Sequence, residues 1–300
     1  TGENDMPAAV AGITIKRLDQ FPISTRKGEF SGSVPARRTG IYYEDPVLFH
    51  SFGTGTDLDG FTEATDRLVD YMQVFGQTEF EYPLAWYGGP LYDTGVEAFE
   101  PDITGGQGGL RPHPPGYPLY LMQGLDEQGM RFSAGLHLHT LPSLDAYAIT
   151  DWSRINADHD TVINVNKDGK LWYGYWHGSD LNYNPADPRV MSAVNAIVDE
   201  VLERYADQPA LDAIALVVSR TKIYSFGSLA SGYNDSNLRR FQQESGITIP
   251  VYKPEDPKRF TKSYEWIMDN AKEAWIDWRC QVLYRHYADK SDLMVRIFRE

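Results

Sequence analysis

Apolar residues recur along this chain with two periods that alternate in a regular order. Residues 60–76, GFTEATDRLVDYMQVFG, place Leu68, Val69, Met72 and Phe75 on one helical face and stop at Gly76, a residue suited to a helix C-cap. Residues 78–89, TEFEYPLAWYGG, read as a strand running into glycines, with Glu81 in mid-strand as a structural residue. An earlier strand lies within 41–52. A helix over 119–130 leads into a strand over 131–141, RFSAGLHLHTL. Residues 187–208 form an amphipathic helix with Pro188 in its first turn. LDAIALVVS, 211–219, is so evenly apolar that it predicts a strand buried on both faces, which runs straight into Arg220. After it come a helix over 233–246 with Asp235 as candidate N-cap, one long helix over 263–290 and a closing strand over 291–300.

Strands separated by helices, in the order β-α-β-α-β-α-β-α-β, predict an α/β protein with a parallel sheet and helices outside it. Right-handed crossovers then allow a doubly wound sheet or a (β/α)8 TIM barrel. The connections leaving strands are long and those returning to strands are short. This asymmetry favours the barrel, with its site at the carboxyl ends of the strands. Two connections stand out, 90–118 and 142–185, the second carrying a hairpin-like piece with Asp168 and Gly169 at its turn. Only five strands are readable where a closed barrel needs eight, so part of the barrel is expected to lie beyond these 300 residues. The expected division is an irregular N-terminal arm over 1–40 and a barrel domain over 41–300, incomplete at its C-terminus.

Charge narrows the set of partners. With 42 acidic against 28 basic residues and a net charge of -14, the chain would be repelled by nucleic acid. No apolar run approaches the roughly 20 residues of a membrane span. The single cysteine, Cys280, sits in a helical pattern and reads as a small buried hydrophobe. No P-loop or G-x-G-x-x-G follows a strand and no G-x-S-x-G elbow is present, so neither a nucleotide cofactor nor serine-hydrolase chemistry is expected. No cofactor is expected. The chain is rich in aromatics, 19 Tyr, 13 Phe and 7 Trp, which suits flat amphipathic ligands such as sugars.

In a barrel the chemistry collects where strands end. Trp86, Tyr87, His137, His139 and Arg220 come from strand ends, and Trp176 and His177 from the long excursion; together they are the candidate substrate-binding set. Arg220 could grip a carboxylate, a sulfate or vicinal hydroxyls, or brace its loop through an ion pair. His137 and His139 share a strand face and could hydrogen-bond a polar substrate, begin a metal site or be satisfied core residues, but no third ligand follows on a later strand. A glycosidase needs two carboxylates, about 5–5.5 Å apart for retention or about 6.5–9.5 Å for inversion. Glu300, ending the last expected strand, and Asp235 are the candidates, although Asp235 also suits a helix cap.

Several phrases taken in order, YPLAWYGGPLYDT (82–94), GMRFSAGLHLHTLPSL (129–144), NPADPRVMSAVNAIVDEVLERYADQPALDAIAL (184–216) and GYNDSNLRRFQQESGITIP (232–250), resemble glycoside-hydrolase-like TIM-barrel proteins. The likeness is to a broad bacterial group related to β-galactosidase-type barrels and spans about 60–290. It implies a (β/α)8 fold that hydrolyses or binds carbohydrate, acting on glycans met in a secreted or periplasmic setting. Many such barrels end the fourth strand in an acid/base Glu, frequently as Asn-Glu; this chain has Ser219-Arg220-Thr221 there. The departure leaves a non-catalytic carbohydrate-binding barrel as the alternative to hydrolysis, and a metal-dependent hydrolase built on His137 and His139 as a further one.

Overall fold

The computed structural model describes residues 38–55, 57–98, 113–114, 116–149, 161–171, 182–218 and 223–297. The expected N-terminal arm therefore lies almost wholly outside the described residues, as do Trp176, His177, Arg220 and Glu300. Strand β1 (Gly40–Tyr42) is followed by helices α1 (Leu48–Phe52) and α2 (Leu58–Phe75), then by β2 (Glu79–Tyr87) and a two-residue β3 (Gly89–Pro90). Helix α3 (Tyr117–Asp126) leads to β4 (Arg131–Leu138), a 3-10 helix (Pro142–Tyr147), α4 (Pro188–Tyr205) and β5 (Leu211–Leu216). Three helices close the chain: α5 (Asp235–Ser245), α6 (Arg259–Asn270) and α7 (Lys272–Ile297).

The sheet runs β1-β2-β4-β5, every neighbouring pair is parallel, and β3 folds back antiparallel on the end of β2. Each new parallel strand is added on the same side of the last, so the described sheet has no reversal of strand order and no doubly wound switch point. Four parallel strands do not close a barrel among the described residues. The sheet nonetheless curls. Arg38, ahead of β1, and Arg131, at the start of β4, both reach the Asp212 carboxylate at the start of β5. Tyr42 of β1 stacks its ring 5.8 Å from that of His137 on β4, across the intervening β2.

The two faces of the sheet differ in chemistry. On the helix-covered face Phe80 lies beside Phe132, and Tyr82 meets Tyr117 of α3, all four fully buried. Glu79, Glu81, Ser133 and Gly135 point the other way, as strand alternation requires. A β-bulge between Pro83 and Ala85 then changes the parity of β2, so that Trp86 pairs with His137. Without that extra residue Trp86 would share the helix face with Phe80 and Tyr82.

Several expectations need correction. The strand predicted over 291–300 is not found among the described residues, because α7 continues to Ile297. The single long helix is two, interrupted at Ala271, whose φ of -146° is not helical. One buried stripe still crosses the break, through Ile267, Ala271, Trp275, Trp278 and Val282, which is why the periodicity read as continuous. Cys280 falls off that stripe and is exposed, not buried. Strand β5 buries only Leu211 and Ile214, and Val218 beyond it is 56% exposed, because no described strand pairs along its outer edge. Asp235 is not the N-cap of α5. That position is Asn234, whose side chain turns away to bond the 161–165 segment.

Other local expectations hold. Gly76 caps α2 in the left-handed conformation and Pro188 opens α4 behind the N-cap Asp187. At the expected hairpin, Val165 bridges Leu171 in antiparallel fashion and Gly169 has a φ of 72°.

Candidate functional site

Strand β2 ends in Trp86-Tyr87-Gly88-Gly89, and the geometry there is unusual. Tyr87 is the one non-glycine residue with positive φ among the described residues, at 40°. Such a conformation costs about 1 kcal/mol or more and must be enforced by its surroundings. Its carbonyl accepts from both His139 N (3.0 Å) and Thr140 N (2.9 Å), which fixes the exit of β4 against that of β2. Gly89, with φ of 144°, lets the chain reverse where a Cβ would lie 2.8 Å from the Ala98 carbonyl oxygen.

These constraints gather a wall of rings at the strand ends. The Trp86 and Tyr87 centroids are 3.9 Å apart, and Tyr87 meets His139 edge-on at 4.1 Å. His137 stands beside Trp86 in register and turns its ring back over Gly135, where a Cβ would come within 2.9 Å of Nε2. The segment after β5 joins them, because Ile223 N donates to the Leu138 carbonyl oxygen at 3.1 Å. Thus four of the sequence-predicted residues, Trp86, Tyr87, His137 and His139, are brought together. All are buried, Tyr87 being the most open at 9%.

Around this wall, some polar atoms have no partner among the described residues. The indole N–H of Trp86, the hydroxyl of Thr140 and that of Tyr224 are buried with no hydrogen-bond partner among the described residues. A buried polar group left in that state costs about 1–3 kcal/mol. The sequence pattern did not single out Tyr42, which stacks on His137, Thr140, whose N–H bonds the Tyr87 carbonyl oxygen, or Tyr224, which follows Ile223 and its bond to β4. The polar-apolar alternation Glu79, Phe80, Glu81, Tyr82 was the available signal that Glu79 and Glu81 share a face.

The rim is braced from outside. Helix α7 holds the loop after β5, with Tyr287 Oη donating to the Tyr224 carbonyl oxygen (2.8 Å) and Arg279 Nη2 to that of Ser228 (2.7 Å). Burial lowers the Arg279 pKa to about 10, and the Phe226 ring lies 4.3 Å from its guanidinium carbon. The loop after β3 is held by Glu200 of α4. Its Oε2 accepts from Tyr92 Oη (3.0 Å) and Thr94 Oγ1 (2.5 Å), and its Oε1 from Gly95 N (2.7 Å). Arg204 adds an ion pair at 2.9 Å. Burial alone would raise the Glu200 pKa, but these donors and the Arg204 charge outweigh it and hold it below the ordinary range.

Asp235 lies in the first turn of α5, 43% exposed, with Arg259 Nη2 at 3.4 Å. Its ion pair gives no sign of a paired carboxylate. Tyr233, just before α5, is buried against Trp275 and donates to the Leu229 carbonyl oxygen at 2.9 Å. Among the described residues no group of three His, Cys, Asp or Glu is placed to hold a metal, and no helix is long and apolar enough to cross a membrane.

No family model matches the chain, and no curated protein matches it in sequence. Among solved structures it is similar to the β-galactosidase from the psychrophilic Marinomonas ef1, at 15% identity and a TM-score of 0.41. The match covers 70% of this chain but 26% of that one, so the chain spans about a quarter of that protein's length. A likeness this slight carries no argument about activity.

Proposed function

We propose that this chain is a carbohydrate-acting protein of glycoside-hydrolase type, its parallel strands belonging to a (β/α) barrel and its site formed where β2, β4 and β5 end. The observation that carries the reading is the contiguous wall of Trp86, Tyr87 and His139, bordered by buried N–H and O–H groups that no described residue satisfies. Sugars present both complements: C–H faces that pack on rings and hydroxyls that donate and accept. The unreversed strand order and the contact of Tyr42 with His137 across β2 support the barrel geometry. Under this reading Arg220, Trp176 and His177 complete the substrate-binding set, Glu300 and Asp235 are the candidate acids, and the protein works in a secreted or periplasmic setting.

One observation favours the second reading, a barrel that binds sugar without cleaving it. Asp235 is engaged by Arg259. Calorimetry and hydrolysis assays on a panel of oligosaccharides separate the two. Binding with turnover supports the hydrolase, and binding without turnover supports the binding module. If no glycan binds, or if Trp86→Ala and His139→Ala leave binding unchanged, the site assignment is wrong.

A further inference from the structure

Below the ring wall, the same face of the sheet carries a carboxylate that no described residue neutralises. Glu81 is partly buried on β2 and makes no hydrogen bond or ion pair among the described residues. Glu79, two residues back on that face, accepts from Ser133 Oγ at 3.0 Å. Glu44 and Asp45 follow β1 directly. Arg38 and Arg131 are engaged elsewhere, both reaching Asp212 at the amino ends of the strands. The register partner of Glu81 is Tyr42, a residue 50% exposed whose ring stacks on His137.

The electrostatics agree with the geometry. Burial, then the neighbouring Glu79 charge, raises the Glu81 pKa. Tyr42 is pushed up to about 12 by burial and by Glu44, Glu81 and Asp45. Negative charge beside an accessible phenol ring is the environment an ammonium group favours. A second feature of the same face points independently to a bound molecule: the fully buried Trp86 indole N–H, which no described residue accepts. Glu81 and Trp86 lie five residues apart on one strand, about 16 Å at ~3.3 Å per residue, which is longer than a single sugar ring.

From this arrangement we infer that the concave face takes an oligosaccharide bearing protonated amines, with an ammonium group held between Glu81 and the Tyr42 ring and a hydroxyl farther along accepting from Trp86. The inference rests on the carbohydrate reading and names the class of sugar. The described residues gather no group of three His, Cys, Asp or Glu, so an organic cation fits this face better than a metal ion.

The test compares two ligands that share a backbone. Oligomers of glucosamine and their N-acetylated counterparts, of equal length, are titrated into the full chain by calorimetry at a pH where the free amines are protonated. The free-amine oligomer is expected to bind about tenfold tighter at low salt, with the gap closing as salt is raised. In Glu81→Gln the two are expected to bind nearly alike, while thermal unfolding shows the variant folded; Glu79→Gln provides a second reading should Glu81→Gln fail to fold. Equal binding of the two oligomers by the unaltered chain overturns the inference and leaves the carbohydrate reading standing. If neither these nor any neutral oligosaccharide binds, both are overturned.

Discussion

Two glutamates show how differently this molecule treats a carboxylate. Glu200, under the loop after β3, receives Tyr92, Thr94, Gly95 and Arg204, and its pKa is lowered. Glu81, on the concave face, receives no described donor and its pKa is raised. The first is a finished structural joint: its oxygens are used within the fold. The second is an open valence on a face it shares with Trp86, whose indole N–H also has no described partner. Structural polar clusters saturate themselves, whereas groups meant for a ligand are left for it to satisfy.

The largest test of this contrast is Glu200→Ala. Glu200 is 7% exposed, so truncation removes the acceptor of the Tyr92 and Thr94 hydroxyls and the Gly95 N–H, while the half-exposed Arg204 keeps the Asp93 carbonyl oxygen. A loss of about 3 kcal/mol is expected in denaturant unfolding. The pH dependence has a definite sign. Because the folded-state pKa of Glu200 is lowered, its contribution is present above the unfolded value of about 4.3 and is lost as pH falls through the folded one. The difference between Glu200→Gln and the unaltered chain should therefore narrow in acid. A difference that stayed constant down to about pH 3 would show that the joint is not ionic.

Gly135→Ala probes the concave face by volume rather than charge. The new methyl would lie 2.9 Å from His137 Nε2 and 3.3 Å from the Tyr82 carbonyl oxygen. Because His137 is fully buried, moving its ring off Tyr42 should cost about 1–2 kcal/mol and weaken sugar binding as well. Unchanged stability would mean that the ring is held more loosely than its contacts imply.

Much of this was legible in the chain. Helix α2 with its Gly76 cap, α4 behind Asp187-Pro188, and the strands of β2 and β4 all follow from local periodicity and capping chemistry. The errors occur where tertiary context decides. The 291–300 segment alternates enough to suggest a strand, yet its described part, to Ile297, continues the helix that began at Lys272. Trp86 and His137 are expected together because strand ends converge, and the sheet register places them side by side. Tyr42 is not expected with them, since its approach to His137 depends on the curl of the sheet across β2, which no local pattern encodes. Glu81 reads as structural from the sequence, because a mid-strand acid with a partner looks the same there as one without.

Glu81→Gln turns that difference into a stability measurement of opposite sign to Glu200. A carboxyl whose folded pKa is raised is destabilising when ionised, and the penalty is relieved as pH falls through the folded value toward the unfolded one. The neutral amide should therefore raise stability near neutral pH. The gain is expected to be less than about 1 kcal/mol, because the site is partly open to screening solvent, and to vanish below about pH 4.3. Guanidinium titrations at two pH values would show it.

The smallest expected effect is the most discriminating one. Thr140→Val keeps the side-chain shape and removes a hydroxyl that is 6% exposed at residue level and has no described partner. In a finished cluster such a change costs stability; here it should raise stability by roughly 0.5 kcal/mol, since no hydrogen bond is lost and a buried polar atom is removed. If that hydroxyl serves a sugar, affinity must fall while stability rises. A variant that loses both places Thr140 in the structural class with Glu200, and the rim would then have one fewer group waiting for a ligand.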